Sequence, residues 1–149
     1  MSASPLISVE DLARIVGDPD LRIVDVRWVL GSPGAGRAKY DEGHLPGAIH
    51  LDLDTDLADL SIPGAGRHPL PHPAELARNL GRSGNGNGSF VVAYDDVGGG
   101  LAAARLWWML RYLGHERVRL LDGGWRAWRA VFPARATISS MGSDTRCIM

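Results

Sequence analysis

The sequence predicts an α/β domain of three layers: a central, mostly parallel sheet of about five strands with helices on both faces. Three observations carry this. Apolar runs at Leu21–Arg27, Gly47–Leu53, Ser89–Tyr94 and Arg117–Leu121 alternate with segments of helical period. Within these runs the apolar residues are near-continuous rather than alternating, the pattern of strands buried on both faces. Glycine and proline punctuate the boundaries. At 149 residues the chain is long enough for one domain, and a globule of that size buries roughly 70% of its unfolded surface.

Each element has a local reason. Ser8, followed by Glu10 and Asp11, reads as an N-cap with acids in the first turn, and Val9, Leu12, Ile15 and Val16 then recur at helical spacing up to about Val16. "LRIVDVR" follows the turn "GDPD" and forms the first buried strand; "GAIHLDL", led in by Pro46-Gly47, forms the second. Pro73 fits the first helical position of "PAELARNLG", with Gly81 as its stop. "SGNGNGS" (Ser83–Ser89) is a surface connector. "SFVVAY" is the third strand, Leu101–Leu113 a helix closed by Gly114, "RVRLL" the fourth strand, and "GGWRAWRA" a last short helix.

Composition narrows the function. With 45% hydrophobic and 22% charged residues and a net charge of −1, neither disorder nor electrostatic attraction to nucleic acid is expected. No apolar run reaches the roughly 18 to 20 residues of a spanning helix, and "MSASPLISVEDL" lacks the regions of a secretory signal, so no membrane partner and a cytoplasmic address are expected. The single cysteine, Cys147, excludes an intrachain disulfide framework and a multi-cysteine zinc site.

In sheets of this kind ligands sit beyond the carboxyl ends of the strands, which directs interest to Arg27, Leu53, Asp95 and Asp122. The segment "VVAYDDVGGGLAAARLWW" has the form of an active-site strand, glycine loop and helix, with two acids at the mouth. Gly98, Gly100 and Ala103 match the G-x-G-x-x-A pattern of a dinucleotide site. Opposing that reading, three residues separate Tyr94 from Gly98, Asp95 and Asp96 would face a pyrophosphate with like charge, and a second mononucleotide half is missing. Asp52, Asp54 and Asp56 resemble the start of a calcium loop, but Leu57 and Pro63 stand where its glycine and glutamate belong, leaving a polar strand end. His44, His50, His68, His72 and His115 lack metal-site spacing, so neither metal nor cofactor is expected. Trp107, Trp108, Trp125 and Trp128 fall at helical spacing and read as core or interface packing.

Taken together, "DVR" (Asp25–Arg27), "YDEGHLPGAIHLDLD" (Tyr40–Asp54), "RHPLP" (Arg67–Pro71), "VVAYDD", "AARLWWMLRYLGH" and "LDGGWRAW" (Leu121–Trp128) resemble the rhodanese family. The likeness is nearest to the N-terminal domain of tandem thiosulfate or 3-mercaptopyruvate sulfurtransferases and spans about Leu6–Trp128. It implies a fold in which a cysteine after the central strand takes up sulfane sulfur as a persulfide and passes it to a thiophilic acceptor such as cyanide. Backbone N–H groups of a tight loop at a helix start suit such an anion.

Aligned this way, Asp95 stands where the cysteine would be. A carboxylate can accept the cradle's N–H bonds but cannot carry a persulfide, so the resemblance implies a non-catalytic domain with no convincing catalytic residue. The loop Asp95, Asp96, Val97, Gly98, Gly99 and Gly100 then serves structure and contact with a second, catalytic rhodanese domain absent from this chain. Arg105, early in the helix, is a candidate charge partner for the acids. His44, Pro46 and Gly47 shape the turn into the second strand, with His44 hydrogen-bonding within it. Gly123 and Gly124 permit a tight start to the last helix, which Asp122 is expected to cap. The domain is expected over 1–130, with 131–149 an irregular tail, a possible truncated linker, that contains Cys147.

Overall fold

In a computed structural model, residues 4–58, 64, 69–82, 89–98 and 102–133 are described. Gly99, Gly100, Arg67, His68, connector residues 83–88 and residues 134–149 with Cys147 lie outside them. The elements in chain order are β1 (Leu6–Ile7), α1 (Val9–Ile15), β2 (Leu21–Asp25), α2 (Ala35–Glu42), β3 (Ile49–His50), α3 (Pro73–Arg82), β4 (Phe90–Tyr94), α4 (Ala102–Tyr112), β5 (Val118–Leu121) and α5 (Gly124–Val131). The five strands form one sheet in the order β1-β5-β4-β2-β3, and every pairing is parallel.

The strands read as continuous apolar runs because both sheet faces are covered. Val91 and Ala93 of β4 join a cluster with Ala103, Leu106 and Met109 of α4. Val92 and Tyr94, pointing the other way, join Leu12 of α1 and Trp128 of α5. Leu12, Leu106 and Met109 are wholly buried, so truncating any one to alanine costs about 2–5 kcal/mol. Among the described residues no helix is long and apolar enough to cross a membrane.

The helix over Ser8–Val16 forms as its sequence dictates: Ser8 caps α1, its Oγ accepting from the Asp11 N–H at 3.1 Å. Two boundaries differ from expectation, and one helix was not foreseen. The second strand pairs only over Ile49–His50, because Asp52 turns the chain: its Oδ1 accepts from the N–H groups of Asp54 and Thr55 at 2.8 and 3.1 Å. The helix from Pro73 runs through Gly81 to Arg82. α2 was not expected at all; "AGRAKYDE" has no apolar stripe, its N-cap Gly34 makes no side-chain cap bond, and the helix is set by contact instead. A Cβ at Gly36 would stand 1.8 Å from the Arg27 carbonyl oxygen, so only glycine lets α2 lie against the chain beyond β2.

Candidate functional site

Strand order fixes where a site can form. From β2 the chain moves outward to β3, and from β4 it moves to β5 on the other side, so the connections diverge between β2 and β4. The crevice beyond the carboxyl ends of two such strands is the usual ligand position in open α/β sheets. Here it lies between Val26-Arg27 and Asp95-Asp96, and the Val26 N–H bonds the Tyr94 carbonyl across it at 2.9 Å.

On the β2 side a charged network is buried. Asp25 is 0% exposed and Arg27 3%. Arg27 Nε donates to Asp25 Oδ2 at 2.9 Å, and Nη2 donates to the same oxygen at 2.7 Å and to the Gly43 carbonyl at 2.6 Å. The Tyr94 hydroxyl donates to Asp25 Oδ2 at 2.7 Å and accepts from the Leu45 N–H at 3.2 Å. Burial pushes the Asp25 carboxyl up, but the neighbouring His50 and Arg27 outweigh it and leave the group below its ordinary value. His50 Nδ1 stands 3.8 Å away, beyond hydrogen-bond reach, so the guanidinium is the geometric partner. Burial, reinforced by Asp25, pushes the Tyr94 phenol well above its ordinary value.

The turn Leu45-Pro46-Gly47-Ala48 is closed by the Ala48 N–H on the Leu45 carbonyl at 3.0 Å, with Gly47 at φ +76°. His44 reaches outside this turn rather than within it. Its Nδ1 meets the Tyr40 carbonyl at 2.7 Å, which requires the proton on Nδ1, and its ring stacks on Tyr40 at 3.8 Å. The Tyr40 hydroxyl in turn donates to the Ala48 carbonyl at 2.6 Å. α2 therefore pins the turn, and burial pulls the His44 imidazole below its ordinary value.

On the β4 side Asp95, 2% exposed, fills an amide cradle with its own carboxylate. Oδ1 accepts from the Val97 N–H at 3.0 Å and Oδ2 from the Ala103 N–H, in the first turn of α4, at 3.2 Å. The Ala103 donor that a dinucleotide pyrophosphate would need is thus already bound. The Asp95 carbonyl accepts from the Trp125 N–H at 2.9 Å. A Cβ at Gly124 would come within 2.5 Å of that carbonyl, which is why glycine starts α5.

Asp96 takes Lys39 of α2 as its cation, Nζ to Oδ2 2.6 Å, a pair that sequence reading missed because the two residues lie far apart in the chain. Arg105 directs Nε and Nη2 onto the Leu57 carbonyl at 3.1 and 3.0 Å. Val97 is exposed, and Gly98 turns the loop at φ +81°. Asp122 does not cap α5: the N-cap is Gly123 at φ +80°, with no side-chain cap bond, and Asp122 is exposed. An N-cap side chain needs extended backbone to reach N–H groups ahead of it, and a left-handed glycine occupies that place. Of the tryptophans, Trp128 is in the core and Trp107 is packed at its margin. Trp108 is exposed, and Trp125 lies under the Arg27 guanidinium at 4.2 Å.

Comparison with known proteins agrees with this geometry. The profile of the Rhodanese-like domain matches residues 8–131. A Pseudomonas aeruginosa protein named "Probable 3-mercaptopyruvate sulfurtransferase" is 47% identical over 87% of this chain and 46% of its own length. An Arabidopsis thaliana thiosulfate/3-mercaptopyruvate sulfurtransferase is 37% identical over 85% of this chain and 36% of its own length. The solved 3-mercaptopyruvate sulfurtransferase of Leishmania major superposes with a TM-score of 0.79 at 32% identity, covering 88% of this chain and 36% of that one. The chain thus spans less than half the length of these relatives, and with its parallel sheet and strand-end cradle it belongs to the rhodanese-like domain family, with homology to the thiosulfate and 3-mercaptopyruvate sulfurtransferases.

Proposed function

We propose that this chain is a non-catalytic domain of the sulfurtransferase type, whose strand-end loop contacts a second rhodanese domain that carries the persulfide cysteine. The single observation behind this is Asp95. Its carboxylate occupies the amide cradle at the end of the central strand, accepting from Val97 and Ala103, where a sulfurtransferase of this family needs a thiolate. A carboxylate satisfies the same donors and has no sulfur to load. That the chain covers 46% of the Pseudomonas relative supports a companion domain as partner. A cytoplasmic address suits a chain whose one cysteine leaves no intrachain disulfide to maintain.

The test is sulfur transfer from thiosulfate or 3-mercaptopyruvate to cyanide, with purified wild type beside Asp95→Cys. The expected result is no turnover above the buffer blank for wild type and slow turnover for the variant. Wild-type turnover that survives Cys147→Ser overturns the reading.

A further inference from the structure

We propose that the outer face of α4 docks an acidic segment of a partner protein, one that presents an apolar or aromatic side chain beside a carboxylate. The face lies in the second and third turns of the helix, and the inference does not rest on the Asp95 loop at its start.

Two aromatic side chains form a plate there. Trp108 and Tyr112 stand four residues apart, so they share one face of α4. They are 47% and 59% exposed, and their rings stack with centroids 5.3 Å apart at an angle of 12°. Stacking holds both side chains before any partner arrives, so less conformational entropy is lost on contact. The core does not call for these rings, because Leu106, Met109 and Leu110 supply the buried face of the same helix. Tryptophan and tyrosine beside an arginine are the residues that anchor protein interfaces.

Charge names the partner. From Val97 to His115 the chain carries no acid. The exposed cations Arg14 and Arg37 each hold a carboxylate on their own helix, Asp11 and Asp41, whereas among the described residues no carboxylate pairs with Arg111. Arg111 is exposed and three residues from Trp108, hence beside the plate. Its guanidinium lies over the Trp107 ring at 5.1 Å, which holds it in place. A carboxylate next to an apolar anchor complements this face. A second copy does not supply one: a twofold contact through the face brings together two helices that carry arginines and no acid. A chain of net charge −1 also has little attraction for a phosphate backbone.

The test is selection of a random peptide library displayed on phage against the purified chain, with depletion on the double variant Trp108→Ser, Tyr112→Ser. Retained peptides are expected to be net negative and to carry leucine, phenylalanine or tryptophan. The best of them, measured by fluorescence polarisation at low salt, should bind with Kd on the order of 1–100 µM. Arg111→Glu leaves both rings in place and decides the matter even where the double variant unfolds; it should weaken that peptide about tenfold or more. Raising salt from about 50 to about 500 mM should weaken it as well. Failure to retain any peptide, retained peptides without acids, or an unchanged Kd in Arg111→Glu overturns the proposal. So does sedimentation showing a concentration-dependent doubling of mass that Trp108→Ser abolishes, which assigns the face to a second copy.

Discussion

Two buried carboxylates end neighbouring strands, and they are satisfied in opposite ways. Asp25, at the end of β2, is held by a guanidinium and by a hydroxyl from β4. Asp95, just past β4, is held by backbone amides of its own loop and helix. The first is a charge pair joining separate elements, so either partner alone would be stranded in the interior. The second is a local cap, which any acceptor of similar reach can replace. Residue type at the Asp25 position is therefore dictated by the fold, whereas the Asp95 position is dictated by chemistry and is free to change with it.

The sharpest break of this contrast is Asp25→Ala, which leaves Arg27 buried without its anion. A loss of about 3–5 kcal/mol is expected from the urea midpoint at unchanged slope. Acid titration probes the same network. Asp25 and His44 both have folded values below their ordinary 3.8 and 6.5, so the unfolded chain binds protons first. Their contributions are present above those ordinary values and are lost as pH falls through them toward the folded values. Stability should drop in two steps on acidification, and His44→Gln should flatten the upper one. Tyr94, raised above 10.0, acts with opposite sign: its contribution holds below that value and is lost as pH rises beyond it.

Asp95→Ala should cost less, about 1–2 kcal/mol, and Asp95→Asn less than about 1, because an amide oxygen still accepts. If Asp95→Ala proved as costly as Asp25→Ala by the same urea measurement, the cradle would be structural in the way the ion pair is. The smallest effect belongs to Lys39→Met. The lysine is 39% exposed, so thermal unfolding should shift by no more than about 0–1 kcal/mol equivalent.

What could be read from sequence follows the range of the interactions. Ser8 and Pro73 announce helices because their signals act within one turn. "FVVAY" announces a central strand because both its faces are apolar. Asp95 was legible as a strand-end acid among glycines, a pattern complete within one segment. α2 was not, since its position rests on Gly36 packing against Arg27 rather than on any period of its own. β1 was missed for a similar reason: two residues carry no period, and they become a strand only by pairing with Leu120 and Leu121. The Lys39–Asp96 pair was equally hidden, because the two residues meet through topology and neither marks its partner in the chain. Asp122 misled because an acid before a helix resembles a cap, and the left-handed Gly123 displaces it.

The pairing of β1 with β5 also sets a schedule for synthesis. Leu6 and Ile7 leave the ribosome early, yet their hydrogen-bonding partners are the residues around Leu120 and Leu121. At roughly 5–20 residues per second of elongation, the nascent β1 must wait several seconds before its edge of the sheet can close. During that interval β2 and β4 can already pair, so folding of the nascent chain should begin at the sheet centre and finish at the β1 edge.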